Sequence, residues 1–334
     1  MTSTNSQFPQ YLQQYGLKVA PFRLSPDPFF FFPSPTHLSA ERILLHAIAG
    51  GEGFMVLTGK AGLGKTLLLR RILGSLDGHK IPILILSPAV DSIGLLQLLL
   101  GEMNIAYDTK DSLAVLLQTF QNQVLQMAQQ KKELFIIVDE AQNMQVQTLE
   151  QLRMLSNLET GSRKLMQILL IGQSELEAVL TQPGLGQLVQ RIVVHERLEP
   201  LNRTQIAQYV GYRLNKAGRG DIRLSKGACK ALQLGSRGIP RLINRIMDRT
   251  LLLASTLQVS ALSKKHVQAA ISTMQDIRLA GRSRQATKIS LAIGSTLVAA
   301  ALLLSLFLHA PLVGTVTELA ASSFTKIAQG DQTQ

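Results

Sequence analysis

Apolar runs of strand length recur along the first two hundred positions of the chain. They are Phe54-Met55-Val56-Leu57-Thr58, Ile81-Pro82-Ile83-Leu84-Ile85-Leu86, Leu134-Phe135-Ile136-Ile137-Val138 and Met166 to Ile171, with Ile192-Val193-Val194 as a shorter fifth. Runs that are apolar throughout, rather than at alternate positions, predict strands buried on both faces, as in a parallel sheet. Helical periodicity fills the gaps. His37 to Ile48 reads as an amphipathic helix, Leu67 to Leu73 as a second, residues 91–130 as two more and Gln145 to Glu159 as another. Strands alternating with helices predict an α/β layer fold. From Arg203 to Ile271 the pattern is helical with no clear strand, which predicts a helical lid. Met1 to Gln14 is polar and expected to be loose. Residues 15–36 are rich in Pro and Phe, and the run Phe29 to Phe32 is expected to lie against the main domain, because it would be a liability in water.

Charge changes this picture in one place. Residues 1–197 carry 16 basic and 16 acidic side chains, whereas residues 198–275 carry 13 basic and 3 acidic ones. The overall +12 is therefore concentrated on the helical segment, which suggests a face for an anionic partner, nucleic acid or lipid headgroups, or else a solubilising surface. The single cysteine, Cys229, excludes an intramolecular disulfide framework and fits a reducing compartment.

The stretch from Ile289 to Leu308 has no charged side chain and is long enough to span a bilayer as a helix. Arg278, Arg282, Arg284 and Lys288 precede it. The positive-inside rule then places the large N-terminal part in the cytoplasm. Ser290 and Gly294 offer a weak small-residue pair for helix packing. The expected organisation is an N-terminal extension (1–36), a P-loop core (37–197), a helical lid (198–275), a basic juxtamembrane linker (276–288), a transmembrane helix (289–309) and a short outer tail (310–334).

The sharpest chemical signal follows the first strand. Gly59-Lys60-Ala61-Gly62-Leu63-Gly64-Lys65-Thr66 satisfies every position of a nucleotide-binding P-loop. Strand, glycine loop and helix point backbone N–H groups and a helix N-terminus at a phosphate chain. Lys65 is expected to reach the β- and γ-phosphates, and the Thr66 hydroxyl to ligate Mg²⁺. About 75 residues on, the third strand closes on Asp139-Glu140. Asp139 is expected to hold Mg²⁺ through water, and Glu140 to orient and deprotonate the attacking water. The fourth strand ends in Gly172-Gln173, whose amide could lie between the other two strand ends and touch the γ-phosphate or the water.

These residues resemble an AAA+ ATPase, and more narrowly the general secretion pathway protein A (ExeA-type) family. Tyr15-Gly16-Leu17, Pro21-Phe22 and Pro26-Asp27-Pro28 are similar to that family's N-terminal signature. Val138 to Asn143, the stretch Leu152 to Thr160, Gln187 to Ile192 and Gly238 to Asn244 extend the likeness over roughly residues 15–275. Gly172-Gln173-Ser174-Glu175-Leu176 departs from the family's usual Gly-Gln-Pro-Glu-Leu but keeps Gln173. The free P-loop positions also differ from the common choice.

The resemblance implies an AAA+ P-loop NTPase with a parallel-sheet core and helical lid, followed by one transmembrane helix, using ATP and Mg²⁺. It implies Gln173 as the sensor-1 residue, Arg191 as an arginine finger reaching a neighbouring subunit's nucleotide, and Arg241 as the sensor-2 arginine of the lid; Arg153 is a second finger candidate. A homo-oligomer follows from a shared arginine-finger site. A single-pass protein of the bacterial inner membrane is implied, serving type II secretion or type IV pilus biogenesis through an inner-membrane or periplasmic component. The roughly 25 residues after the apolar segment are too few for the peptidoglycan-binding domain that some members carry. Two other readings stay open. One is a nucleic-acid-handling ATPase similar to transposition regulators, which the apolar segment disfavours. The other is a nucleotide-gated scaffold with little turnover, against which the intact Glu140 argues.

Overall fold

The computed structural model describes residues 11–86, 88–160, 163–256 and 261–274. A short helix α1 (Tyr11–Gln14) and an extended Phe-rich strap lead into α2 (Pro35–Ala49). The order is then β1 (Phe54–Thr58), α3 (Lys65–Gly74), β2 (Lys80–Ile85), α4 (Ser92–Glu102), α5 (Leu113–Gln129) and β3 (Glu133–Val138). Next come α6 (Val146–Leu155), β4 (Glu159–Thr160), β5 (Arg163–Lys164), β6 (Met166–Gly172), α7 (Glu175–Leu180), α8 (Gly186–Val189) and β7 (Ile192–Arg197). The helices α9 (Arg203–Lys216), α10 (Lys226–Ser236) and α11 (Pro240–Thr256) follow, and residues 264–274 are helical as well.

The five long strands form one parallel sheet in the order β2-β3-β6-β1-β7. Successive side chains leave a strand on opposite faces, so each central strand supplies two cores. Leu134, Ile136 and Val138 join the core under α4, α5 and α6, while Phe135 and Ile137 join the core under α2 and α3. Burial on both sides explains the unbroken apolar runs. Pro82 fits β2 because that strand is at the sheet edge, where a missing N–H leaves no ladder bond open.

The strap is the main departure from the sequence reading. Tyr11 and Leu12 are buried, so the chain is already seated before Gln14. The Tyr11 hydroxyl donates to Asp248 Oδ1 at 2.6 Å, and Lys18 N–H donates to Ala217 O at 2.9 Å. Arg219 donates to Tyr15 O and Arg213 to Pro21 O. The phenylalanines then bridge outward. Phe32 packs edge-on against Tyr209 and Tyr212 of α9, while Phe31 meets His37 of α2 and lies under the Arg71 guanidinium of α3. The run Phe29 to Phe32 thus lies between core and lid, rather than on the core alone.

Two boundaries differ as well. The helix expected to reach Glu159 stops at Leu155, and a small antiparallel hairpin, β4 with β5, takes up the following residues. β7 runs on through His195, Glu196 and Arg197, whose alternating burial marks an edge strand. The segment after Arg203 is helical as expected, apart from an isolated parallel bridge between Leu224 and Leu262. Up to Ile271 the chain forms one compact unit. The apolar segment 289–308, with its basic linker and tail, lies outside the described residues. Among the described residues no helix is long and apolar enough to cross a membrane.

Candidate nucleotide site

β1 ends at Thr58 and the glycine loop turns at once into α3. Gly64 caps α3 with φ +105°, and no side chain bonds the helix start. The N–H groups of Lys65 and Thr66 have no helical acceptor, because the first turn of any helix lacks one. An uncapped helix start with left-handed glycines is a cradle for an anion. Five longer helices start differently, with Ser34, Asp91, Ser112, Asn202 and Ser225 capping them with side-chain oxygens, while α6 shares the uncapped start but has no glycine there. Gly62 has φ +83°, and a Cβ there would lie 2.7 Å from Arg241 Cβ. The lid touches the loop at that same point, where Arg241 N–H donates to Gly62 O at 3.2 Å.

The sheet order brings the candidate side chains together. β6 lies between β1 and β3, so the P-loop, Gln173 and Asp139-Glu140 emerge side by side at the C-terminal edge. Crevices at that edge of a parallel sheet are where ligands of α/β folds bind. Lys65 is buried, and its Nζ donates to Gly59 O at 2.7 Å and to Lys60 O at 3.5 Å. Burial lowers the Lys65 pKa, and the charges of Glu140, Asp139 and Glu175 oppose that shift. Burial raises the pKa of Asp139, opposed by the Glu140 N–H at 2.9 Å from Oδ1, by Lys65 and by a hydrogen bond from Thr66. A buried carboxylate beside a threonine hydroxyl is a hard-oxygen donor set suited to Mg²⁺ with retained waters.

Glu140 has φ +53°, an unusual left-handed conformation for a side-chain-bearing residue. Gln142 Nε2 donates to its Oε2 at 2.5 Å and Gln173 Nε2 to the same oxygen at 3.1 Å. Burial alone would raise the Glu140 pKa; the two amide bonds and the Lys65 charge outweigh it and hold the pKa below the usual value.

A cavity of about 330 Å³ opens beside Lys65, Thr66 and Glu140. Its floor includes Gly62, Gly64, Lys65, Thr66 and Glu140, the strap forms one wall through Arg23 to Asp27, and the lid closes it with Tyr209, Arg213, Arg241 and Asn244. Arg241 is exposed on the first turn of α11 and faces this cavity. Arg191 sits elsewhere. It is exposed just before β7, at the opposite edge of the sheet, with Nη1 at 3.1 Å from Ser156 Oγ. It borders a separate cavity with Gly53, Phe54, Asn157 and Lys164. Arg153 pairs with Glu150 at 2.7 Å.

Several residues were not singled out in the sequence. His37 is buried behind the loop, with Nε2 at 3.0 Å from Leu63 O and Nδ1 at 2.6 Å from Ser34 Oγ. Burial lowers its pKa, only partly offset by the Leu63 carbonyl and Glu41. A neutral ring therefore donates a hydrogen bond from Nε2–H to the Leu63 carbonyl and accepts one from the Ser34 hydroxyl at Nδ1. Arg213 donates to Pro21 O and to the Tyr209 hydroxyl, and Tyr209 donates to Asn244 Oδ1 at 2.7 Å. Its signal was available: Ile206, Tyr209, Val210, Arg213 and Leu214 form the buried stripe of α9, and an arginine inside such a stripe needs partners.

Residues 48–180 match the AAA domain family. Solved structures of the same fold include the Drosophila ORC bound to DNA, at 16% identity and TM-score 0.57 over 82% of this chain and 68% of that one. The Aeropyrum pernix ORC2 protein aligns at 15% identity and TM-score 0.53 over 72% and 67%. At those identities the likeness concerns the fold alone. The glycine cradle, the paired acids at the end of β3 and the family match together establish that the chain belongs to the AAA+ ATPases, a nucleotide-binding family. Within that family it is a relative of General secretion pathway protein A of Aeromonas hydrophila, 39% identical over 244 residues. That alignment covers 73% of this chain and 45% of the relative, so the chain spans less than half of the relative's length.

Proposed function

We propose that this chain is a membrane-anchored AAA+ ATPase that binds and hydrolyses ATP to support assembly of an envelope machine of the type II secretion or type IV pilus kind. The observation that carries the ATPase part is a cavity lined by Lys65, Thr66 and Glu140 and covered by Arg241 of the lid, with Asp139 bonded to Thr66 and Gln173 bonded to Glu140 behind it. The loop N–H groups and Lys65 bind the phosphate chain, and Lys65 exchanges its carbonyl partners for phosphate oxygens. Thr66 and Asp139 would hold Mg²⁺, which would supply positive charge to offset that of the phosphates. Glu140 accepts a proton from the attacking water as that water forms its bond to the γ-phosphorus, and the bond to the ADP oxygen breaks. Gln173 and Arg241 meet the charge that develops on the transferred group. Arg191, at the far edge of the sheet, serves a neighbouring copy's nucleotide, which makes turnover depend on self-association.

The envelope role rests on the secretion-pathway relative and on the uncharged segment 289–308. The test has two arms. Steady-state ATP turnover of the full chain is compared with Lys65→Ala and Glu140→Gln. The expected result is lost binding for the first and retained binding with lost turnover for the second. Undiminished turnover in Glu140→Gln overturns the hydrolytic reading. Capture of the full-length protein from gently solubilised membranes is expected to bring an inner-membrane or periplasmic secretion or pilus component with it. Recovery in the soluble fraction alone overturns the anchored reading.

One observation favours a second reading. On the lid, the Arg203 guanidinium donates to the Lys226 carbonyl at 3.0 Å and the Lys264 stem lies beside Gly227, so basic residues from separate elements gather around the start of α10. Such a cluster suits a nucleic-acid backbone. A steep fall of DNA binding with salt, without comparable binding to anionic vesicles, would move the conclusion there.

A further inference from the structure

The reading of Glu140 as the base assigns it a job but does not say what aims it. Its backbone is in the left-handed region, and its side chain leaves from a loop rather than from the strand. A carboxylate on such a stem needs external bonds to hold one direction. Two amides supply them, and both bond the same oxygen, Oε2. Among the described residues Oε1 has no hydrogen-bond donor, and Glu140 lines the nucleotide cavity. One oxygen is thus anchored and the other is left for the cavity.

The two amides are not independent. Gln142 Oε1 accepts the backbone N–H of Gln173 at 3.0 Å. That bond decides the orientation of the amide, because the oxygen must face Gln173 N–H and the NH₂ must then face Glu140. Gln142 therefore uses both ends of one planar group. It holds the carboxylate at one end and the β6 turn at the other, and so sets the distance between Glu140 and Gln173. No other side chain of that length carries a donor and an acceptor together; Asn is one methylene short, Glu has no donor when ionised, and Met has neither strong group. The neighbouring backbone is shaped to admit it. A Cβ on Gly172 would lie 3.0 Å from Gln142 Oε1 and 2.8 Å from Leu176 Cδ2, so a side chain at 172 would push against the amide.

We propose that Gln142 is the positioning residue of the site, bridging the ends of β3 and β6 so that the free oxygen of Glu140 points at the attacking water. This rests on Glu140 being the base. Gln142 does not line the cavity and need not touch nucleotide, so its effect falls on turnover and not on binding.

The experiment measures nucleotide affinity and single-turnover hydrolysis for wild type, Glu140→Gln, Gln142→Met and Gln142→Asn. Met keeps the volume, and Asn keeps the chemistry but not the reach. Both Gln142 variants are expected to keep affinity within about twofold and to lose roughly 10- to 100-fold in the hydrolytic rate, the cost of a misplaced catalytic group. Nucleotide recovered with either variant after gel filtration is expected to be ATP rather than ADP. Thermal unfolding identifies a variant that has lost its fold, and the second variant then carries the test. If Glu140→Gln is inactive while both folded Gln142 variants turn over at the wild-type rate, the positioning role is wrong and the base reading survives. If Glu140→Gln itself turns over normally, the base reading fails first. A Gln142 variant that loses affinity and rate in proportion would mean a structural part in the cavity, and would also overturn the proposal.

Discussion

Replacing Arg213 tests how the cavity wall is held. Its guanidinium is buried, and among the described residues no carboxylate is one of its hydrogen-bond partners. It donates to Pro21 O and to Tyr209 Oη, the latter at 2.8 Å, and it stacks 4.6 Å over the Phe30 ring. Hydrogen bonds from a charged group contribute about 1.5–3 kcal/mol each, and a desolvated cation–π contact about 2 kcal/mol. The gross contribution is therefore roughly 5–8 kcal/mol, offset by the cost of keeping the charge out of water, which is several kcal/mol. Arg213→Met keeps bulk and removes both bonds, leaving Pro21 O without its donor. A net loss of about 3 kcal/mol is expected. For a unit of this size that lowers the melting temperature by roughly 6–12 °C. Because the strap residues Arg23 to Asp27 hang from this anchor, nucleotide affinity should fall as well, and the rise in melting temperature that nucleotide produces should shrink. Differential scanning calorimetry with and without nucleotide, plus a direct binding titration, reads both effects. A melting temperature within 2 °C of wild type together with unchanged affinity would refute the reasoning. A melting loss with unchanged affinity would mean that the strap supports the lid but does not form the cavity wall.

Gly62→Ala must place its Cβ at 2.7 Å from Arg241 Cβ in a left-handed conformation, so the lid must move off the loop. Nucleotide affinity is expected to fall at least about tenfold, about 1.4 kcal/mol, in an equilibrium titration, and unchanged affinity would mean that lid contact is dispensable for binding. His37 carries a pH prediction. Burial holds its folded pKa below the ordinary 6.5, so the unfolded chain binds the proton first. The stabilising contribution is complete above about 6.5 and is lost as pH falls through the folded value. Denaturant unfolding at several pH values should show wild type losing more stability below 6.5 than His37→Gln, which has no proton to gain; parallel curves would remove His37 from the account. Arg191→Ala should abolish the rise of specific activity with protein concentration while leaving monomer nucleotide affinity intact; a preserved rise would transfer that role to another group.

The strands and the glycine loop were legible because their signals are local. An uninterrupted apolar run reports burial on both faces within five or six residues, and the P-loop needs only eight adjacent positions. Asp139-Glu140 was legible for the same reason, as the polar close of a buried strand. What could not be read was contact at a distance. His37 braces a carbonyl 26 positions away, and Gln142 meets Gln173 across 31. Neither pairing leaves a periodicity. The end of α6 at Leu155 was missed because Ser156 to Glu159 can continue a helix on propensity alone, and only the pairing of β4 with β5 pulls the chain away. The seating of Tyr11 could not be read because the partner of its hydroxyl, Asp248, comes 237 residues later.

That separation has a cost measured in time. Tyr11 meets Asp248 across 237 positions. A ribosome adding roughly 5–20 residues per second needs on the order of 10–50 s to make the second after the first. Late in that interval, once β7 is out, the α/β core can close, but Phe32 still waits for Tyr209 and Tyr212. The strap is made before the core yet is among the last segments to be seated. The pace of translation through α9 to α11 therefore sets how long four consecutive phenylalanines stay within reach of other nascent chains.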